Sequence, residues 1–126
     1  MKRYVLTVDL EDDPRAIARY KRHHRAVWPE VQASLRRIGV RSMDIYARGR
    51  RLTMVMDTSD GFDLRRSFAA HAASSPRCAE WEGLMKTFQV PPPGARKGET
   101  WAEMERVFHL RGAPAAAARR RASPAR

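Results

Sequence analysis

This chain of 126 residues predicts an α+β fold in the split β-α-β-β-α-β order, with an antiparallel sheet and helices on one of its faces. Three observations lead there. Two-residue alternation of apolar side chains marks a strand at the start, a hairpin in the middle and a strand near the end. Apolar residues at helical spacing fill both gaps. An Asp-Pro pair and a Ser-Pro pair sit where helices should begin.

In order, the first strand sets Tyr4, Leu6, Val8 and Leu10 on one side against Val5, Thr7 and Asp9 on the other. Glu11-Asp12-Asp13-Pro14 supplies acidic first-turn residues, an Asp N-cap and Pro at the first helical position. The helix runs toward Val27-Trp28. Pro29 starts or kinks a second segment, which carries Val31, Ser34, Leu35 and Ile38 to a stop at Gly39. A hairpin follows, Ser42 to Arg48 and Arg51 to Asp57, turning around Gly49. Its alternation places Met43, Ile45 and Ala47 opposite Asp44 and Tyr46, and Leu52, Met54 and Met56 opposite Thr53 and Val55.

A second helical region begins near Asp60, continues through Phe62 and Phe68, and restarts at Ser75-Pro76. Cys78, Trp81, Leu84, Met85 and Phe88 form its buried stripe. Pro91-Pro92-Pro93-Gly94 ends it, and a last strand spans Ala102 to Leu110. This is a ferredoxin-like plan. It leaves Val5, Thr7, Tyr46, Val55 and Val107 facing water, and packing two such sheet faces together predicts a homodimer of the dimeric α/β-barrel type.

Composition bounds the function. Residues 1–110 make one domain, and 111–126 form an Ala/Arg-rich basic tail expected to be disordered. The net charge of +11 is partly that tail: five arginines lie from Arg111 onward, leaving 20 basic against 14 acidic residues before it. No aromatic-interleaved basic stripe accompanies the charge, so no specific nucleic-acid partner is expected. No apolar run reaches membrane-spanning length and Met1-Lys2-Arg3 leads straight into a strand, so neither a membrane partner nor a signal peptide is expected. The single cysteine, Cys78, fits a reducing cytoplasm.

Missing motifs narrow the chemistry further. There is no Gly-rich phosphate loop, no Gly-x-Ser-x-Gly elbow, and no metal-ligand spacing among His23, His24, His71 and His109. Neither cofactor nor metal is expected. What remains is the stretch Tyr20 to Glu30. Ile17, Tyr20, His24, Val27 and Trp28 recur at i, i+3, i+4, which stacks Tyr20 and His24 one turn apart and rotates His23 roughly 100° away. A His and a Tyr on an apolar face are commonly just satisfied core residues. The other possibility is an acid-base pair acting on a small polar molecule, with Trp28 and Trp81 near enough to cover an apolar face of a sugar. Trp28, before Pro29, is read as packing, and Glu30 as a helix-start carboxylate.

The Tyr-x-x-x-His-x-x-x-Trp-Pro-Glu pattern at Tyr20, His24, Trp28, Pro29 and Glu30 resembles the L-rhamnose mutarotase family. So do Ile45-Tyr46, the Trp81 region and the closing Val107-Phe108-His109-Leu110. The likeness runs from Met1 to Leu110. It implies a small dimeric α+β isomerase that interconverts sugar anomers without cofactor. It also implies that His24 is the proton donor and that Tyr20, Met43, Trp81 and Glu82 line the sugar site. Members acting on L-rhamnose carry tyrosine where this chain has Met43, and two tryptophans where it has Trp81-Glu82. Those departures fall on recognition positions, which leaves L-rhamnose and L-fucose as competing monosaccharide substrates. Two other readings stay open: a cofactorless oxygenase-like enzyme on the same plan, and a noncatalytic binding protein using the tail.

Overall fold

The computed structural model describes residues 1–112. A five-stranded sheet is covered on one face by four helices. Along the chain run β1 (Lys2–Leu10), α1 (Pro14–His24), α2 (Pro29–Arg37), β2 (Val40–Arg48), β3 (Arg51–Thr58), α3 (Leu64–Ala73), α4 (Pro76–Lys86), β4 (Gln89–Val90) and β5 (Ala102–Glu103). The sheet order is β2-β3-β1-β4, with β5 also on β1, and every pairing is antiparallel. The expected α+β class and β-α-β-β-α-β order are both present.

Register explains the layering. Val8 lies opposite Leu52, Leu6 opposite Met54 and Tyr4 opposite Met56, while Met43 and Ile45 continue the same face across β3. Those side chains meet the helices in two adjoining clusters. One joins Val8, Leu10 and Leu52 to Ala16, Tyr20, Val31, Cys78, Trp81, Met85 and Phe88; the other gathers Leu6, Val40, Met54, Met56 and Phe62. Trp101, partly buried, packs against both. Each fully buried Leu or Val contributes about 1.5–3 kcal/mol relative to exposure. On the opposite face, Val5 and Val55 are half-buried and Tyr46 is 61% exposed, a small apolar patch flanked by the Arg3–Asp57 and Arg51–Asp9 ion pairs and left uncovered by the described helices.

The termini of the elements follow their chemistry. Asp13 caps α1 by accepting the Arg15 N–H, and Ser75 caps α4 by accepting the Cys78 N–H. The acids Glu11 and Asp12 precede α1 rather than fill its first turn. Gly39 leaves α2 at φ +111°, a conformation that disfavours any side chain.

Four expectations are corrected. First, α1 stops at His24 instead of reaching Trp28. Arg25 and Ala26 close tight turns onto Arg22 and His23, and Pro29 holds Trp28 extended, at φ −58° and ψ 138°. Second, α3 begins after Asp63, whose carboxylate accepts the Arg66 N–H, not near Asp60. Third, the strand expected over Ala102 to Leu110 ends at Glu103. Only Met104 continues it, donating its N–H to Val5 O; beyond that the segment has strand composition but no ladder partner among the described residues, and Val107 is 87% exposed. Fourth, the helix expected to run to Pro91 ends at Lys86, and Gln89–Val90 pairs with β1 as β4, sharing the place beside β1 with β5. The basic tail expected over 111–126 lies outside the described residues apart from Arg111 and Gly112.

Candidate active site

The residues singled out on α1 meet the start of the α4 stripe at the helix-covered face. Tyr20 and His24 stack, with ring centroids 4.3 Å apart and planes tilted by 30°. Trp81 crosses the His24 ring edge-on at 5.5 Å and the Trp28 ring at 5.1 Å. Phe88 meets the edge of Tyr20 at 6.0 Å. Helical spacing brings the first pair together; α4 packing against α2 supplies the rest.

Within this group the exposures differ. Tyr20 is 3% and Trp81 4% exposed, whereas His24 is half-buried and keeps contact with the surface. Two open clefts lie elsewhere, one along α1, lined by Pro14, Ile17, Lys21 and Arg25, and one between Ile38, Asp63 and Ser67. Tyr20 and Trp81 are closed over, and His24 with its half-buried neighbours His23, Glu82 and Gln89 forms the part of the group that reaches the surface.

Hydrogen-bond direction assigns the proton on His24. Its Nδ1 lies 3.0 Å from the carbonyl oxygen of Tyr20, and a carbonyl can only accept. Neutral His24 thus carries its proton on Nδ1 and leaves Nε2 as a bare lone pair. Burial lowers the imidazole pKa below 6.5, and the neighbouring His23 pushes the same way, against the Tyr20 carbonyl bond, which favours the charged form. At neutral pH the ring is a base. Tyr20 moves the other way. Burial pushes its phenol up to about 12, the Glu82 carboxylate adds to the effect, and the Gln89 side chain opposes it. Tyr20 is a hydroxyl, not a phenolate, throughout the working range.

Not every predicted residue joins this group. Glu82 does: it acts on Tyr20 electrostatically, and its Oε2 lies 3.4 Å from His71 Nε2. Met43 sits apart, partly buried on β2 and packed with the second cluster around Met56 and Phe62. Trp28 is packing, as expected, with the Arg77 guanidinium 3.6 Å above its ring, and Glu30 sits 3.8 Å from the same arginine. Three neighbours were missed. His23 was expected to face away, yet its ring meets Trp81 at 6.3 Å and Phe88 at 5.8 Å, because residues from α4 and its exit wrap the end of α1. Gln89 belongs to the unforeseen β4. His71 falls seven residues after Leu64 and three after Phe68, a polar ring on an apolar helical stripe, and that spacing was a readable signal. Among the described residues no three His, Cys, Asp or Glu side chains gather as a metal set.

Comparison with known proteins bears on this geometry. Residues 3–110 match the family model described as L-rhamnose mutarotase. A protein named L-fucose mutarotase from Xanthomonas campestris pv. campestris is 43% identical over 112 residues, covering 87% of this chain and 89% of the relative. An L-rhamnose mutarotase from Acidiphilium cryptum is 30% identical over 105 residues, covering 78% and 89%. The crystal structure of an L-rhamnose mutarotase from Formosa agariphila superposes with a TM-score of 0.62 at 20% identity, over 88% of this chain and 100% of that one. That likeness speaks for the fold.

Proposed function

The chain belongs to the L-rhamnose mutarotase family, and on that premise we propose that it interconverts the α and β anomers of a 6-deoxy hexose, with L-fucose the preferred sugar. It is an isomerase of the sugar-mutarotase kind. The observation that carries the reading is the tautomer of His24: a neutral imidazole anchored through Nδ1, with a free Nε2 at the accessible edge of the aromatic group.

The chemistry follows from that nitrogen. The anomeric hydroxyl and the ring oxygen share one carbon, so a single Nε2 can reach both. Nε2 takes the proton of the anomeric hydroxyl. As the carbonyl forms, the bond from C1 to the ring oxygen breaks, and the same proton passes to that oxygen. Rotation about the C1–C2 bond and the reverse sequence close the ring on the other carbonyl face. No atom is gained or lost. Glu82 accepts from a sugar hydroxyl at the accessible edge; contact with the buried Tyr20 hydroxyl, which orients the sugar, and with the Trp81 ring, which supports an apolar face, requires that edge to open as the sugar enters. Mutarotation already runs in water, so a ~10³-fold acceleration asks for only about 4 kcal/mol.

Substrate choice rests on Glu82, since Met43 packs with the second core cluster, apart from the aromatic group. L-Fucose and L-rhamnose differ in the configuration at C2 and C4. With Glu82 in place of tryptophan, the group loses an indole and gains an acceptor. The likeness is also stronger to the relative named for L-fucose. The uncovered sheet face, with Tyr46, Val5 and Val55, supports a homodimer, and one buried cysteine, Cys78, supports a reducing cytoplasm. Proton NMR saturation transfer between anomers, run on L-fucose, L-rhamnose and common hexoses, tests the proposal. Faster exchange on L-fucose than on L-rhamnose is expected. Exchange no faster than in buffer on either sugar would refute the activity, and faster exchange on L-rhamnose would refute the preference.

A further inference from the structure

His71 is 1% exposed and lies at the junction of α2, α3 and α4, outside the residues given a role so far. Its Nδ1 is 2.8 Å from Ser34 Oγ, Ser34 Oγ is 3.0 Å from Ser74 Oγ, and Ser74 Oγ is 2.7 Å from the His71 carbonyl oxygen. Its Nε2 is buried with no hydrogen-bond partner among the described residues, and the nearest acidic oxygen, Glu82 Oε2, lies 3.4 Å away off the ideal hydrogen-bond line.

Donor direction orders this chain. Only Ser74 can supply the proton on the bond to the carbonyl, so its single hydroxyl hydrogen is used there. The bond between Ser34 and Ser74 then needs the Ser34 hydrogen. Ser34 Oγ is left to accept, so His71 Nδ1 must donate. With the proton on Nδ1, a neutral His71 would turn a bare lone pair from Nε2 toward the Glu82 carboxylate, lone pair against lone pair. A proton on Nε2 turned toward Oε2 would make the contact attractive.

The geometry points to His71 as a positioning residue for substrate recognition: anchored by Ser34 and Ser74, it holds Glu82 through a shared proton and presents the other carboxylate oxygen to a sugar hydroxyl. This rests on the mutarotase reading for its ligand. It does not rest on it for the bond itself. His71 touches no substrate; it acts through Glu82, which also adds to the field on Tyr20. The Glu82 carboxylate is half-exposed, and without this tether its rotamers would be free.

Two substitutions separate the halves of the ring. In His71→Asn the side-chain amide can replace Nδ1 toward Ser34 but does not reach Glu82. In His71→Gln the amide replaces Nε2 and keeps Glu82. Saturation-transfer kinetics over a range of L-fucose concentrations should give His71→Asn a KM raised about tenfold, matching loss of one hydrogen bond to a charged group, with kcat within twofold of wild type. His71→Gln should restore KM. In a Glu82→Ala background His71→Asn should add nothing. A purely structural role would lower Tm in both variants and leave both KM values unchanged, overturning the proposal. Proton NMR of the full chain gives a readout without sugar: a downfield exchange-protected resonance from the His71–Glu82 proton, lost in Glu82→Leu. Its absence from wild type would overturn the shared proton. Wild type that exchanges no sugar anomers but shows the resonance would instead refute the mutarotase reading.

Discussion

Tyr20 and His24 are joined twice, by stacked rings with centroids 4.3 Å apart and by a 3.0 Å hydrogen bond from His24 Nδ1 to the Tyr20 carbonyl. The second contact matters more. It fixes the ring plane and the tautomer together, so Nε2 is the only nitrogen of His24 free to exchange protons. His24 is the last residue of α1, and its ring reaches back one turn to that carbonyl.

The pH dependence has a definite sign. Burial lowers the His24 pKa below 6.5, so the base form persists into mildly acid solution. The kcat/KM profile for L-fucose should be flat from pH 6.5 upward and fall on a single acid limb below that. No alkaline limb from Tyr20 is expected at accessible pH, since its phenol is pushed up to about 12. Stability moves the same way: below 6.5 the unfolded chain takes up the His24 proton first, so folding free energy is lost as pH falls toward the lowered folded value. Thermal melts of wild type and His24→Gln between pH 7 and 5 should show a smaller pH slope in the variant.

Tyr20 is an orienting hydroxyl in this account, not a base. Tyr20→Phe should raise KM about fivefold, the worth of one neutral hydrogen bond of ~1 kcal/mol, and keep kcat within about tenfold. Saturation-transfer kinetics resolve the two parameters. A kcat loss as large as that from removing His24 would make the phenol a proton carrier instead.

The open sheet face should close against a second copy. Tyr46 is 61% exposed there beside half-buried Val5 and Val55, on the face away from the helices. Sedimentation velocity should give a dimer for the full chain. Val55→Glu should shift it to monomer while the far-UV spectrum is kept, because burying an unpaired carboxylate in an apolar interface costs several kcal/mol. A wild-type monomer at micromolar concentration would contradict the dimer.

Much of this architecture was legible in residue spacing. Alternation in Tyr4 to Leu10 and Leu52 to Met56 placed the core face of the sheet, and Asp13-Pro14 and Ser75-Pro76 placed two helix starts, because capping and proline chemistry are local. The tertiary features were not legible. Val107 to Leu110 has strand composition, but a strand needs a partner, and the described residues offer none beyond Met104. Tyr20 and His24 were found from helical geometry, yet the family resemblance, not spacing, singled out Glu82. Gln89 enters the group through the pairing of β4, which no local pattern marks, and the helical spacing of His71 shows its stripe but not that packing of α3 brings it to Glu82.

The most direct test of the account is the anomer exchange rate of L-fucose by saturation transfer with His24→Gln, whose amide keeps the side chain's length without a titratable nitrogen. At least a 10²-fold loss of kcat is expected, with Tm and the far-UV spectrum close to wild type. A folded His24→Gln protein that exchanges anomers at the wild-type rate would contradict it.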